Sequence, residues 1–151
     1  MYFRGVSVCN VDAKGRFAIP TKYRDILEKI AKSKCVMTID TDDDCLLLYP
    51  MQQWENIESQ LEDLPSLNPR VRRVQRLLIG HAEEIDLDTT GRILLSKPLR
   101  LVAEMSKKVT LIGQGEKFEI WSEEIWNNRV NTWRSEETDE SDDSALSDIR
   151  I

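Results

Sequence analysis

Two arginines, Arg16 and Arg92, each stand directly after a glycine and four residues after an aspartate. Arginine ends in a planar fork of donors that matches phosphate oxygens or the O6/N7 edge of guanine. Glycine supplies the positive φ of a tight turn and puts no bulk beside the fork. The Asp-x-x-Gly-Arg phrase therefore projects a cation from the lip of a turn. Two readings of it stand side by side. Asp12 and Asp88 either orient the guanidinium toward an anionic partner, or close their turns as local ion pairs that contact nothing else. Lys14 lies inside the first turn where the second has Thr90, so the first is the better anion contact.

The turns belong to a longer repeat. Val11-Asp12-Ala13-Lys14-Gly15-Arg16-Phe17-Ala18-Ile19 returns 76 positions later as Leu87-Asp88-Thr89-Thr90-Gly91-Arg92-Ile93-Leu94-Leu95. Arg24 corresponds to Arg100, Val36–Ile39 to Val109–Ile112, Leu46–Tyr49 to Phe118–Trp121, and Trp54 to Trp126. Self-similarity at this length indicates two related modules, not one undivided domain.

Each module reads as strand–turn–strand–helix–strand–strand. In the first, alternation predicts a strand over 6–11, a strand from Arg16 to Ile19 ended by Pro20, a helix from a Thr21 N-cap to about Lys32, and strands over 35–40 and 45–49. In the second, strands are expected near 81–87, 92–95, 108–112 and 117–121, with a short helix near 97–105 and Gly113-Gln114-Gly115 as a hairpin turn. A final helix begins near Ser122 and carries Ile125, Trp126, Val130 and Trp133. Between the modules, 51–80 reads as a helical hairpin broken at Leu64-Pro65 and restarted by Asn68-Pro69. Its second helix turns Val71, Val74, Leu77 and Leu78 inward, leaving Arg70, Arg72, Arg73 and Arg76 as a solvated face. The expected organisation is module 1 over 1–53, a helical linker over 54–80, module 2 over 81–134, and an acidic tail without structure over 135–151. Strands this short do not make independent sheets, so the modules are expected to share one core as a pseudo-twofold body.

The net charge of −6 belongs to the tail, where seven carboxylates face Arg150 alone. Residues 1–134 hold twenty basic and twenty acidic side chains, and the first 34 hold eight Lys/Arg against three Asp/Glu. An anionic partner for the body is therefore compatible with the low pI. No apolar run reaches membrane-spanning length and no leader is read at the N-terminus, so a cytoplasmic protein without membrane attachment is expected. Cys9, Cys35 and Cys45 sit in apolar strand contexts without ligand spacing and are expected as buried thiols. Enzyme readings find little support. His81 is the sole histidine, no glycine-rich phosphate cradle is present, and Asp40-x-Asp42-x-Asp44 has Cys45 and Met51 where a calcium loop needs Gly and Glu. No catalytic residue, metal, cofactor or small-molecule substrate is expected.

These residues resemble one family. Phe3-Arg4-Gly5, the stretch from Val11 to Pro20, Tyr23-Arg24, Leu46-Leu47-Leu48-Tyr49-Pro50, Asn68-Pro69, Arg72-Arg73-Val74-Gln75-Arg76-Leu77-Leu78 and Gly91-Arg92 are similar to the MraZ family of bacterial proteins, in order and spacing, over about residues 1–134. The resemblance implies an α+β fold of tandem AbrB-like swapped-hairpin modules (SpoVT-AbrB), a pseudo-twofold barrel-like body with helices outside. It further implies a transcriptional regulator that binds double-stranded DNA at promoter direct repeats, forms ring-like homo-oligomers, associates with the nucleoid, and represses its own gene and the division and cell-wall cluster. The family's Asp-x-x-x-Arg motif falls on Asp12/Arg16 and Asp88/Arg92, which carries the DNA-contact role to those arginines, with Lys14 and Arg4 holding phosphates. The alternative is an antitoxin-like protein-interaction module whose acidic tail wraps a protein partner.

Overall fold

A computed structural model describes residues 2–136 and 144–150. The first half contains β1 (Phe3–Asn10), β2 (Arg16–Ala18), α1 (Thr21–Ala31), β3 (Lys34–Ile39), β4 (Cys45–Pro50) and α2 (Met51–Glu62). After α3 (Pro69–Leu78) the series returns as β5 (Glu83–Asp86), β6 (Arg92–Leu94), α4 (Lys97–Val102), β7 (Lys108–Gly115), β8 (Lys117–Ser122) and α5 (Glu123–Ser135). The fold is α+β, and its sheet topology is that of tandem swapped hairpins.

Six strands form one antiparallel sheet in the order β1-β7-β8-β4-β3-β5, and β2 pairs with β6 in a separate ribbon. The sheet order is a palindrome under the repeat. Each module's first strand leaves its own half and pairs with the other half's third, β1 on β7 and β5 on β3. The pseudo-twofold axis can be read from register alone. Phe17 pairs with its own counterpart Ile93, and Leu47 pairs with its counterpart Glu119. The barrel-like expectation needs one correction. β1 and β5 end the sheet without pairing to each other, so the sheet stays open and the short β2·β6 ribbon lies across the gap.

Burial explains which strands read as continuous apolar runs. Cys35–Ile39 of β3 and all of β4 are buried, because both faces of the central sheet are covered and alternation disappears. On one face Phe17, Ile19, Leu27, Leu46, Leu48, Ile93, Leu95, Leu99 and Phe118 build the larger core, beneath α1, α4 and the ribbon. On the other face Leu47, Tyr49, Trp54, Ile112 and Trp121 form a second core capped by residues of α2, α3 and α5. Trp133 meets Trp121 and Trp126 edge to face while those two are tilted against each other, and Arg129 lies over Trp121 while bonding Asp43 and Asp44 at 3.1 and 3.4 Å. The three cysteines are free and buried, and burial pushes the Cys35 thiol up to about 12.

The helical hairpin follows its caps. Asn68 accepts from the amides of Arg70 and Val71, Pro69 takes the first turn, and Gln75 Nε2 reaches back to the Leu61 carbonyl at 2.8 Å. Arg70, Arg72, Arg73 and Arg76 point to solvent. Two local expectations are corrected. The α1 cap is Pro20, with no side-chain cap bond, and Thr21 is already helical. Gly113 is not part of the hairpin turn but of β7, because its missing Cβ lets β1 cross closely: a Cβ there would lie 2.5 Å from the Arg4 amide nitrogen. The turn instead sits at Glu116, between β7 and β8. Of the acidic tail expected over 135–151, residues 137–143 and 151 lie outside the described residues, α5 runs through Ser135, and 144–150 form a short exposed turn.

Candidate functional site

Both Asp-x-x-Gly-Arg turns sit where the β2·β6 ribbon begins, one on each side of the axis, and they share one backbone design. Asp12 Oδ1 accepts from the amides of Lys14 and Arg16, each at 2.9 Å, and Asp88 Oδ1 accepts from those of Thr90 and Arg92, each at 2.9 Å. Gly15 and Gly91 adopt φ of +86° and +76°. Each turn is also tied across the axis: Leu95 donates to the Gly15 carbonyl at 2.7 Å, and Ile19 to the Gly91 carbonyl at 2.9 Å. The aspartates are thus turn formers first. Their carboxyls are held below the usual range chiefly by those amide bonds, Asp12 by that from Arg16, and Asp88 by that from Arg92 with help from the Thr90 hydroxyl, down to about 2.

The arginine side chains part company. Arg92 Nε donates to Asp88 Oδ2 at 3.3 Å and to Thr90 Oγ1 at 3.0 Å, and its Nη1 lies 3.9 Å from Asp12 Oδ2. Arg92 therefore bridges the two turns. Among the described residues no hydrogen bond or ion pair holds the Arg16 guanidinium. Inside the loop the turns differ at two positions, Ala13 against Thr89 and Lys14 against Thr90. Thr90 bonds Asp88 at 2.8 Å and offers its oxygen to Arg92, whereas Lys14 at the equivalent place offers no acceptor and adds an exposed cation beside the half-buried Arg16. Asp88 bonds its own arginine directly, whereas the Asp12 carboxylate feels the charge of both Arg16 and Arg92 and, among the described residues, comes within ion-pair distance of Arg92 alone.

Lys14, Arg16, Arg92, Asp12 and Asp88 are brought together on this surface. Arg4 is not. It lies six residues before Asn10 in β1, which at ~3.3 Å per residue puts it roughly 20 Å from the turn end of the strand. Its carbonyl instead accepts from the Tyr23 hydroxyl.

Sequence reasoning missed two further arginines. Arg24 lies against Gly91, and Arg100 lies against Gly15: an added Cβ would meet Arg24 Nε at 2.2 Å and Arg100 Cζ at 3.1 Å. Each module's helix thus lays an arginine over the other module's turn. Their equal offset in the repeat was the available signal. Elsewhere, among the described residues, Asp40, Cys45 and Glu119 bring ligand-type atoms within 4.8 Å of one another. Asp40 is occupied by the amides of Asp42 and Asp43, and Glu119 by the Trp121 indole, so the trio is accounted for as local structure.

The profile of the family described as "MraZ protein, putative antitoxin-like" matches residues 2–77 and again residues 78–149. The chain belongs to the MraZ family. Relatives called "Transcriptional regulator MraZ" are 49% identical over 140 residues in Legionella pneumophila (strain Philadelphia 1), covering 93% of this chain and 92% of the relative. In Coxiella burnetii (strain RSA 493) the figure is 50% over 141 residues, covering 93% of each. In Alkalilimnicola ehrlichii it is 50% over 134 residues, covering 89% of each. The chain thus falls in a family of transcriptional regulators, and the double match agrees with the duplication seen in the sheet. Among the described residues no helix is long and apolar enough to cross a membrane.

Proposed function

We propose that the chain is a sequence-specific DNA-binding regulator of the cytoplasm and nucleoid that represses its own gene and the division and cell-wall cluster. It does so as a ring-like oligomer on promoter direct repeats. The observation that supports this reading is the guanidinium of Arg16 beside Lys14, unclaimed among the described residues and raised on a turn whose backbone bonds are already satisfied. A preorganised fork with no internal partner spends little of its binding on rearrangement. Arg16 reads guanine edges, Lys14 grips phosphate, and Arg92 keeps the two turns at fixed spacing while making a weaker contact of its own. Asp12 and Asp88 set the turn backbone. Arg4, remote from the turns, contacts DNA only where the duplex continues onto a neighbouring subunit. A single pair of turns covers little DNA, so affinity comes from several subunits engaging successive repeats.

The test is fluorescence anisotropy with labelled duplex from upstream of the chain's own gene, at two salt concentrations with scrambled competitor. Salt-weakened binding that survives competitor is expected. Equal binding to both duplexes would replace specific regulation with general DNA coating. The word antitoxin in the family description favours a second reading, a protein partner captured by the acidic tail. No binding to either duplex, with a partner retained by the full chain and lost on truncation after Arg134, would establish it.

A further inference from the structure

The pseudo-twofold axis relates two clefts, one outside each turn, whose linings overlap in part and differ in charge. Beside the first turn a cleft of about 620 Å³ is lined by Asn10, Val11, Asp12, Ala13, Arg100, Ser106, Lys107 and Lys108. Beside the second, a cleft of about 430 Å³ is lined by Leu87, Asp88, Thr89 and Gly91 with Arg24, Asp25, Glu28, Lys32 and Ser33. Register establishes the correspondence: Val11 donates to the Lys107 carbonyl as Leu87 does to that of Ser33, and Asn10 pairs Lys108 as Asp86 pairs Lys34. The first cleft has three cations against Asp12, whose carboxylate is spent on its turn. The second has two cations against three carboxylates. Lys107 in place of Ser33 and Leu101 in place of Asp25 favour the first cleft, Ser106 in place of Lys32 offsets one of them, and Lys108 lines its cleft where its counterpart Lys34 does not line the other.

The arginines differ as well. Arg24 Nε donates to the Ile19 carbonyl at 2.6 Å. Arg100 Nε is buried without a partner, and among the described residues none of its side-chain donors is hydrogen-bonded. A buried donor left unpaired is costly, and the same guanidinium, with no internal hydrogen bond among the described residues, lines the cleft where an anion would meet it. Lys107 and Lys108 are exposed and form no ion pair among the described residues, although Glu123 and Glu124 share a neighbouring cleft with them.

We infer that the cleft walled by Arg100, Lys107 and Lys108 seats a backbone phosphate of the duplex held at Arg16, and that its counterpart beside the second turn does not. This rests on the DNA-binding reading and deepens it. Arg100 and Lys107 are positioning contacts, carrying no base information. They set the duplex off the axis, so the chain has a direction on DNA despite its internal symmetry.

The experiment compares the unaltered chain, Lys107→Ala/Lys108→Ala and Lys32→Ala by anisotropy across a salt series, on the upstream duplex and on a scrambled one. Intrinsic tryptophan fluorescence checks that each folds. The double variant is expected to lose affinity by a similar factor on both duplexes, and its slope of log K against log salt should fall by about 1, for the one phosphate contact removed. Lys32→Ala should bind as the unaltered chain does. Unchanged affinity and slope in the double variant overturns this inference and leaves Arg16 as the DNA contact. A loss confined to one duplex overturns a phosphate seat, and an equal loss in Lys32→Ala overturns its one-sidedness. Failure of the unaltered chain to bind either duplex overturns the DNA reading itself.

Discussion

The first and second turns have the same backbone bonds, the same glycine conformation and the same ties across the axis, yet among the described residues one arginine is captured and the other is not. Similar residues in similar conformations thus meet different neighbours. Thr90 completes a small network around Arg92, and Lys14 leaves Arg16 unclaimed. Duplication supplied a symmetric frame, and the proposed division of labour between its halves follows the hydroxyl that stands where the first turn has an amine.

The largest test of the shared frame lies on the axis. Phe17 and its partner Ile93 are both 1% exposed, so Phe17→Ala should cost about 3–5 kcal/mol and Ile93→Ala about 2–5 kcal/mol. Because they touch across the ribbon, the double variant should cost less than the sum of the two. Denaturant unfolding followed by tryptophan fluorescence measures this, and strict additivity would mean that the halves do not share a core there.

The division of labour should then appear in binding. Arg16→Ala is expected to weaken DNA binding by about 1–3 kcal/mol per engaged site with unfolding unchanged. Arg92→Ala should weaken it less and lower stability by no more than about 1 kcal/mol, since its ion pairs are largely exposed. Reversed ranking in anisotropy titrations would assign base reading to the second turn.

Exchanging the deciding neighbour sharpens the comparison further. Lys14→Thr should draw Arg16 onto Asp12 and remove a cation, whereas Thr90→Ala should release Arg92. Shifts of about 0.5–1.5 kcal/mol in binding, of opposite sign in the two variants, follow from one hydrogen bond made or lost. The same sign in both would show that the threonine is a bystander.

The smallest effect is in acid. Asp88 has a folded pKa of about 2 against an ordinary 3.8, so its stabilising contribution is complete above 3.8 and fades as pH falls toward 2. Asp12 shifts in the same direction. Asp88→Asn should flatten the loss of stability in that window, as read by denaturant midpoints at stepped pH. An unaltered acid slope would place the titration elsewhere.

Much of the fold was legible because the repeat and the hydrophobic patterning agree. Runs at 35–39 and 45–50 that are apolar but for Thr38 mark strands covered on both faces, and Asn68-Pro69 marks a helix start. The misread positions depend on residues distant in sequence. Gly113 looks like a turn residue until β1 is laid over it, and Arg4 looks close to the turn until the strand between them is extended. Of the site, the two turns were visible as a phrase. The different states of Arg16 and Arg92, and the roles of Arg24 and Arg100, arise from contacts across the axis that no local window contains.

The exchanged outer strands also bear on copy number. A pair of turns assembled from separate chains would come apart on dilution, its abundance falling with the square of concentration when monomers predominate. Here β1 and β5 are stitched into the opposite half of one polypeptide. The paired surface is therefore present on every molecule, and a cell holding a handful of copies deploys the same elementary unit as one holding thousands.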